Sequence, residues 1–230
     1  PELIIHLSGG FSTYFFRLLR HDEEYHNKTY ILTDLDPVLQ INKQVQERFY
    51  EDMRNKFSGE LPKILNLKYD ILADNLVEIL NEQGIDPRKT RPLIILEGVL
   101  NYFKKSTQIR LLNQLIEILA PLNGFLIVDV QSEFLPSIFQ AGGIRGRISR
   151  KIGEAFLEST EAVFSQIKEH ELLNLGFQVI NSGILDSISF VQNLNAPMLK
   201  PGSCNVLLLS FSKDMIPKEV LSRRYVVDLF

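Results

Sequence analysis

The chain has 230 residues, of which 45% are hydrophobic and 23% charged, and its formal net charge is −3. These values are typical of a globular domain with a sizeable core, and they give no electrostatic reason to expect a nucleic-acid or membrane partner. The single cysteine, Cys204, excludes an internal disulfide and a multi-cysteine metal site, and no apolar run is long enough to span a bilayer. We therefore expect one domain over residues 1–230, without a metal, in a reducing, cytoplasmic compartment.

Hydrophobic periodicity predicts an alternation of strands and helices along the chain. The predicted strands cover residues 3–7, 30–33, 64–67, 93–96, 125–130, 177–184 and 206–211. The predicted helices cover residues 11–20, 37–57, 74–83, 106–119 and 160–175. This order predicts an α/β fold with a doubly wound, mostly parallel, seven-stranded sheet that ends in an antiparallel hairpin.

Two details of the helices are also predicted. Asp36 stands before Pro37 and is expected to cap the helix that follows, because an acid before a first-turn proline is a common helix start. In the helix over residues 106–119, the spacing predicts that the inward residues are Ile109, Leu112, Leu115, Ile116 and Leu119.

Polar groups follow the ends of four predicted strands. Ser8, Gly9 and Gly10 form a small-residue turn after the first, Asp34 ends the second, Asp74 and Asn75 follow the third, and Glu97 ends the fourth. Carboxyl ends of parallel strands meet at one edge of a sheet, so these groups predict a nucleoside-binding crevice. Each has a plainer interpretation, as a tight turn or a solvated acid at a helix cap. A dinucleotide fingerprint is absent, because residues 8–13 read S-G-G-F-S-T.

Two segments resemble motifs of the leucine carboxyl methyltransferase family. Residues 7–18 read L-S-G-G-F-S-T-Y-F-F-R-L, similar to the family's L-G-A-G-F-D-T-x-x-F-R-L, and residues 96–103 read L-E-G-V-L-N-Y-F, similar to its E-G-V-L-x-Y-L. With the acids between them, the resemblance covers about residues 3–130. It implies the class I, Rossmann-like methyltransferase fold, S-adenosyl-L-methionine as cofactor, and methyl transfer to an oxygen.

The resemblance also implies a role for each matching residue. Those that would bind the cofactor are Ser8, Gly9 and Gly10 at its methionine portion, Asp34 with Asp36 at the ribose, Asp74 with Asn75 at the adenine, and Glu97 at the amino group. Tyr102 would lie near the site of methyl transfer. The chain departs from the family at Ser8 and Ser12, which replace a glycine and an aspartate. It also begins at the first strand, so the family's N-terminal lid segment is expected to be absent, either because it is trimmed from this sequence or because this protein binds the cofactor more weakly.

The acceptor is less defined than the cofactor. A carboxylate needs no base, whereas a hydroxyl needs one unless it is already acidic. His6, on the first strand, is interpreted as a structural histidine in preference to a catalytic base. The lack of an obvious base favours a carboxylate or an acidic phenol as the methyl acceptor. Residues 131–158 are a candidate acceptor-binding insertion, in which Arg145 and Arg147 would bind an anionic small molecule or peptide. A solvated loop is the alternative there.

Two functions remain open from the sequence. The first is an S-adenosylmethionine-dependent O-methyltransferase that acts on a carboxylate or hydroxyl of a small molecule or peptide. The second is a non-catalytic nucleoside-binding or scaffold domain of the same fold. Tyr102 and Phe103 fit the wall of an acceptor site and equally fit a core.

Overall fold

A computed structural model describes residues 2–10, 28–55, 62–131, 151, 167–184 and 204–210. The strands found there are β1 (Leu3–His6), β2 (Thr29–Asp34), β3 (Lys63–Lys68), β4 (Pro92–Leu96), β5 (Phe125–Gln131), β6 (Gln178–Ile184) and β7 (Cys204–Ser210). The helices in the same ranges are α1 (Asp36–Arg54), α2 (Leu76–Glu82), α3 (Lys105–Leu119) and α4 (Glu169–Asn174). Short 3-10 turns cover Leu100–Tyr102 and Ala120–Leu122. The helix predicted over residues 11–20 lies outside the described residues.

The strands form one seven-stranded sheet in the order β3-β2-β1-β4-β5-β7-β6. β1 pairs in parallel with both β2 and β4, β2 pairs in parallel with β3, and β6 and β7 are antiparallel. All four residues of β1 are buried, as expected for a strand covered on both faces. The predicted fold class is therefore confirmed: a mostly parallel α/β sheet with a C-terminal antiparallel pair.

The chain divides into two compact units. The first consists of residues 1–97 and 113–126, and the second of residues 98–112 and 127–230. The buried side chains of the first unit include Ile4, Ile5, Tyr30, Ile31, Tyr69, Leu76, Leu80, Ile94 and Leu115. Those of the second include Leu100, Leu111, Leu112, Val128, Leu172, Phe177, Leu207 and Leu209. A single domain over residues 1–230 with an insertion at 131–158 stays a prediction.

The start of α1 corrects one expectation. Leu35, in an extended conformation, takes the cap position, while Asp36 is already inside the helix and makes no side-chain cap bond. The predicted cap at Asp36 is therefore wrong, because the carboxylate of Asp36 turns instead to Lys68, 3.1 Å away. An acid in the first turn still interacts favourably with the helix dipole.

The buried face of α3 corrects a second expectation. Ile109 is 38% exposed, so the prediction that it faces inward is wrong. The buried face instead includes Thr107, Gln108, Leu111 and Leu112. Because glutamine is normally a surface residue, the hydrophobic pattern alone favoured Ile109 over its neighbour Gln108 as an inward position.

The outer edge of the sheet is covered by two side chains of α1. β3 is the last strand on its side, and Ile64 directs its backbone groups away from β2 toward this helix. The Tyr50 hydroxyl accepts the Ile64 N–H (3.2 Å) and donates to the carbonyl of Pro62 (2.7 Å), while Gln46 Nε2 donates to the Ile64 carbonyl (3.2 Å). The start of the edge strand is thus hydrogen-bonded on its outer side.

No helix in the described ranges is both long enough and apolar enough to cross a membrane.

Candidate functional site

The small-residue turn follows β1 in a conformation that few residue types adopt. Ser8 and Gly10 have positive φ values of 47° and 54°, so the chain leaves the strand sharply. The Ser8 N–H donates to the side-chain hydroxyl of Thr33, and the Gly9 N–H donates to the Thr33 carbonyl. Both donor–acceptor distances are 3.3 Å. The turn is therefore held against the end of β2.

Gly9 packs closely on the side chain of His6. A Cβ atom there would lie 3.0 Å from Nδ1 of His6, which is tighter than most such contacts, so the imidazole would have to shift by a few tenths of an ångström. His6 is buried, and desolvation by burial lowers its pKa to about 4. A histidine with this pKa is neutral at pH 7 and a poor general base, so its position under the turn agrees with a structural role.

The carboxylate of Asp34 connects the end of β2 to the turn after β1. Its buried carboxylate accepts the Gly10 N–H at Oδ2 (2.9 Å) and the Leu35 N–H at Oδ1 (2.8 Å). Asn42, buried on α1, donates to the Gly10 carbonyl over 3.0 Å. The structure therefore brings Asp34 and the turn together at one end of the sheet, as expected, and adds Asn42. That residue was missed because a lone polar residue in an amphipathic helix gives no sequence signal.

Three acids act on Lys68, at the end of β3. Its pKa is raised first by the hydrogen bond from its ammonium group to Asp36, and further by the charges of Asp36, Asp74 and Asp70. Asp74 Oδ2 also accepts the Asp70 N–H over 2.7 Å. The charges of the predicted Asp36 and Asp74 thus both act on Lys68, at the carboxyl end of β3. Lys68 and Asp70 were missed, although they lie one and three residues past the end of the predicted strand.

Asn75 has a local structural role. Its Oδ1 accepts the Val77 N–H over 3.0 Å and caps α2, and its Nδ2 donates to Glu78 Oε1 over 3.5 Å. The helix-cap interpretation therefore holds for Asn75, and its contact with an adenine stays a prediction.

Glu97 directly follows β4, the strand beside β1. The Leu7 N–H donates to the Ile95 carbonyl (2.9 Å) one residue past the last paired position, His6 with Ile95. Glu97 therefore lies two residues past Ile95, and Ser8 lies two residues past the partner of Ile95, His6. Its side chain is half-buried. Its bond to a cofactor amino group stays a prediction.

In the second unit, the turn after β4 is held by two buried polar side chains. Gly98 has φ 67°, and its N–H donates to Asp129 Oδ1 of β5 over 2.7 Å. Gln108 Nε2 donates to the carbonyls of Leu100 (2.9 Å) and Phe103 (2.7 Å), and its Oε1 accepts the Ile167 N–H (3.0 Å). Lys105 on α3 also pairs with Glu171 on α4. Asp129, Gln108 and Glu171 were missed because each lies inside a predicted strand or helix, and Lys105 directly precedes one.

Tyr102 is carried on this turn and is 45% exposed, so it is not a core residue. This removes the core alternative for Tyr102 but does not test its role. Arg145, Arg147 and nearly all of residues 131–158 lie outside the described residues, so the acceptor-binding insertion stays a prediction. No group of three His, Cys, Asp or Glu side chains within the described ranges is arranged to hold a metal ion.

A separate cavity of about 610 Å³ lies at the amino ends of β1, β2 and β3. Its lining residues are Glu2, Leu3, Lys28, Thr29, Lys63, Gly84, Ile85, Asp86, Lys89 and Thr90. None of these is a predicted site residue, so this cavity is distinct from the group at the carboxyl ends.

The solved structures include several similar to this chain. An O-methyltransferase family protein from Burkholderia thailandensis has a TM-score of 0.49 and 15% identity, covering 92% of this chain and 51% of its own. Mitomycin 7-O-methyltransferase MmcR has a TM-score of 0.49 and 12% identity, covering 91% and 49%. A pericyclic reaction enzyme has a TM-score of 0.49 and 15% identity, covering 92% and 43%.

The chain thus spans about half the length of the structures it matches. No protein-family model matches the sequence, and the search of curated proteins gives no match. The resemblance to the leucine carboxyl methyltransferase family therefore rests on its motifs.

Proposed function

We propose that this chain is the S-adenosyl-L-methionine-binding part of an O-methyltransferase, related to the leucine carboxyl methyltransferase family. The observation that carries the proposal is the contact of Asp34, at the end of β2, with the Gly10 N–H in the turn after β1. It joins the proposed ribose-binding acid to the proposed methionine-binding turn within one unit. The seven-stranded order and the two family motifs support the same conclusion.

The polar groups of the first unit fit the parts of the proposed cofactor. Each oxygen of Asp34 accepts one backbone N–H, and a carboxylate has about four acceptor positions, so acceptor capacity remains for ribose hydroxyls. Leu35, directly after it, is exposed and offers apolar surface to a purine. Asp74 and Glu97 would accept from the adenine amine and the cofactor amino group, both of which need an acceptor.

The cofactor, when bound, supplies an electrophilic methyl group on a sulfonium. The chain contributes positioning: the acceptor oxygen must be held roughly 3 Å from the methyl carbon and water kept away. Because the pKa of His6 is about 4, this buried histidine is only a weak proton acceptor near neutral pH. An ionised carboxylate or acidic phenol is therefore the acceptor group we propose. Tyr102, exposed on its turn, would contact it.

The acceptor we propose is a small molecule or peptide and not a nucleic acid, since the net charge of −3 gives no general attraction for phosphates. Arg145 and Arg147 would bind its anionic group. The lone cysteine supports a cytoplasmic location as part of the same proposal.

Calorimetry with S-adenosylmethionine and its demethylated product tests the proposal. We expect micromolar binding, and we expect Glu97→Ala to weaken it more than tenfold, or about 1.4 kcal/mol. Glu47→Ala, which removes an exposed acid from α1, is the matched control and should leave the affinity unchanged. Equal affinities in the two variants would remove Glu97 from the site.

A non-catalytic nucleoside-binding or scaffold domain is the second candidate. It is favoured by the local bonds of Asn75, which caps α2, and of Asp74, which accepts the Asp70 N–H. Absence of detectable cofactor binding at millimolar concentration would support the scaffold and reject the enzyme.

A further inference from the structure

Asn42 is a buried amide on a helix that otherwise buries apolar side chains. It is 6% exposed, and the other buried residues of α1 are Leu39, Phe49 and Met53. Burying an amide costs free energy unless the group is hydrogen-bonded. Asn42 Nδ2 donates to the carbonyl of Gly10 over 3.0 Å, across 32 positions of the chain. This bond explains why an amide occupies the buried face of α1.

Both backbone polar groups of Gly10 are hydrogen-bonded to side chains of the first unit. Asp34 Oδ2 accepts the Gly10 N–H over 2.9 Å, and Asn42 donates to the Gly10 carbonyl. Gly10 has φ 54°, and glycine adopts positive and negative φ almost equally well, so the backbone alone does not fix this conformation. The two side chains therefore determine the shape of the turn where it leaves the sheet.

Asp34 and Asn42 differ in what else they would do. Asp34 is also the proposed ligand of the ribose, so a change at Asp34 alters the turn and the ribose site together. Asn42 is buried, and its bond runs to the turn. A change at Asn42 therefore releases the Gly10 carbonyl while the Asp34 carboxylate stays in place.

We propose that Asn42 is a positioning residue, which holds Gly10 in the conformation that fits the methionine portion of S-adenosylmethionine and does not itself touch the cofactor. The inference rests on the proposed function, in which the turn lies at the methionine portion and Asp34 at the ribose. Groups that bind a ligand keep their geometry when neighbouring hydrogen bonds hold them. Loss of the Asn42 bond therefore weakens recognition of the methionine portion and leaves recognition of the adenosine portion intact.

Two ligands, with and without the amino-acid end of the cofactor, test the inference. S-adenosylhomocysteine carries this end, whereas 5′-methylthioadenosine keeps the adenosine and the sulfur and lacks it. Affinities of the full chain for both are measured by calorimetry and NMR titration. We expect Asn42→Leu to weaken S-adenosylhomocysteine binding about tenfold, because a displaced turn loses its contact geometry. Binding of 5′-methylthioadenosine should change by less than about twofold, since the bond from the Leu35 N–H still holds Asp34.

A matched control and a second variant separate positioning from folding. Gln46→Leu, one turn further along α1, also removes a side-chain donor, because Gln46 Nε2 donates to the Ile64 carbonyl. This control should lower the melting temperature and change neither affinity by more than about twofold. Asn42→Ala, which favours the helix, should show the same loss as Asn42→Leu. The Gly10 amide should exchange with solvent faster in both Asn42 variants and at the unmodified rate in Gln46→Leu.

Several results would overturn the inference. These are unchanged S-adenosylhomocysteine affinity in folded Asn42 variants, equal weakening of both ligands, the same split in Gln46→Leu, or no 5′-methylthioadenosine binding by a chain that binds S-adenosylhomocysteine. Failure of the unmodified chain to bind S-adenosylmethionine and S-adenosylhomocysteine would instead reject the proposed function itself, and the inference with it.

Discussion

The buried Gln108 gives the sharpest test of what holds the second unit together. Gln108→Met keeps the length of the side chain and removes all three of its hydrogen bonds, to Leu100, Phe103 and Ile167. The Leu100 carbonyl keeps a second partner, the Phe103 N–H at 3.2 Å. The carbonyl of Phe103 and the N–H of Ile167 lose the bonds that Gln108 gave them.

The expected cost follows from those two groups. An unsatisfied buried donor or acceptor costs about 1–3 kcal/mol, and burying methionine in place of an amide recovers part of the loss. We therefore expect the free energy of unfolding to fall by about 3 kcal/mol. For a chain of this size, that corresponds to a melting temperature lower by roughly 6–12 °C.

Urea denaturation followed by circular dichroism measures the change, with Gln44→Met, an exposed position on α1, as the control. The control should stay within about 0.5 kcal/mol of the unmodified chain. Hydrogen exchange gives a local readout: the Ile167 amide should exchange faster in Gln108→Met, while the amide of Leu172, bonded within α4, should change less. A loss below about 1 kcal/mol with unchanged exchange at Ile167 would refute the reasoning.

Two further predictions concern the first unit. Burial lowers the pKa of His6 to about 4 in the folded chain. The unfolded chain therefore binds a proton at this histidine more readily than the folded chain does. As the pH drops from about 6.5 to 4, the free energy of unfolding should fall by up to about 3 kcal/mol. His6→Gln should flatten this part of the stability–pH curve, and an unchanged slope would contradict the assignment. Tyr50→Phe should cost about 1–3 kcal/mol of unfolding free energy, because the Pro62 carbonyl and Ile64 N–H lose their hydroxyl partner. Tyr102→Phe is its exposed control, and equal effects would show that the edge contact contributes nothing.

The fold was predictable from the sequence because its signals are local and repeated. Continuous apolar runs such as that of β1, and helix ends such as Gly84 after α2, each mark one element without reference to the rest of the chain. The end groups of the strands were predictable for the same reason, since a parallel sheet puts them at one edge. Asp34 and the Gly10 turn meet as this argument requires.

The rest depends on which polar residues are buried, and periodicity does not encode this. Gln108 has the sequence character of a surface residue but occupies an inward position of α3, whereas its neighbour Ile109 was placed on the wrong face. Asp36 has the sequence context of a helix cap, but Lys68, distant in sequence, competes for its carboxylate. Long-range hydrogen bonds and ion pairs of this kind become visible only when the strands are in register.

The side chains of Gln46 and Tyr50 have a consequence beyond the stability of β3. By occupying the outward backbone groups of Ile64, they leave this margin of the sheet without a free donor and acceptor at that residue. An extended segment from another molecule therefore finds no template for cross-chain strand addition there. Tyr50→Phe would expose one such group, and the variant should be more prone to polymerise while partly unfolded.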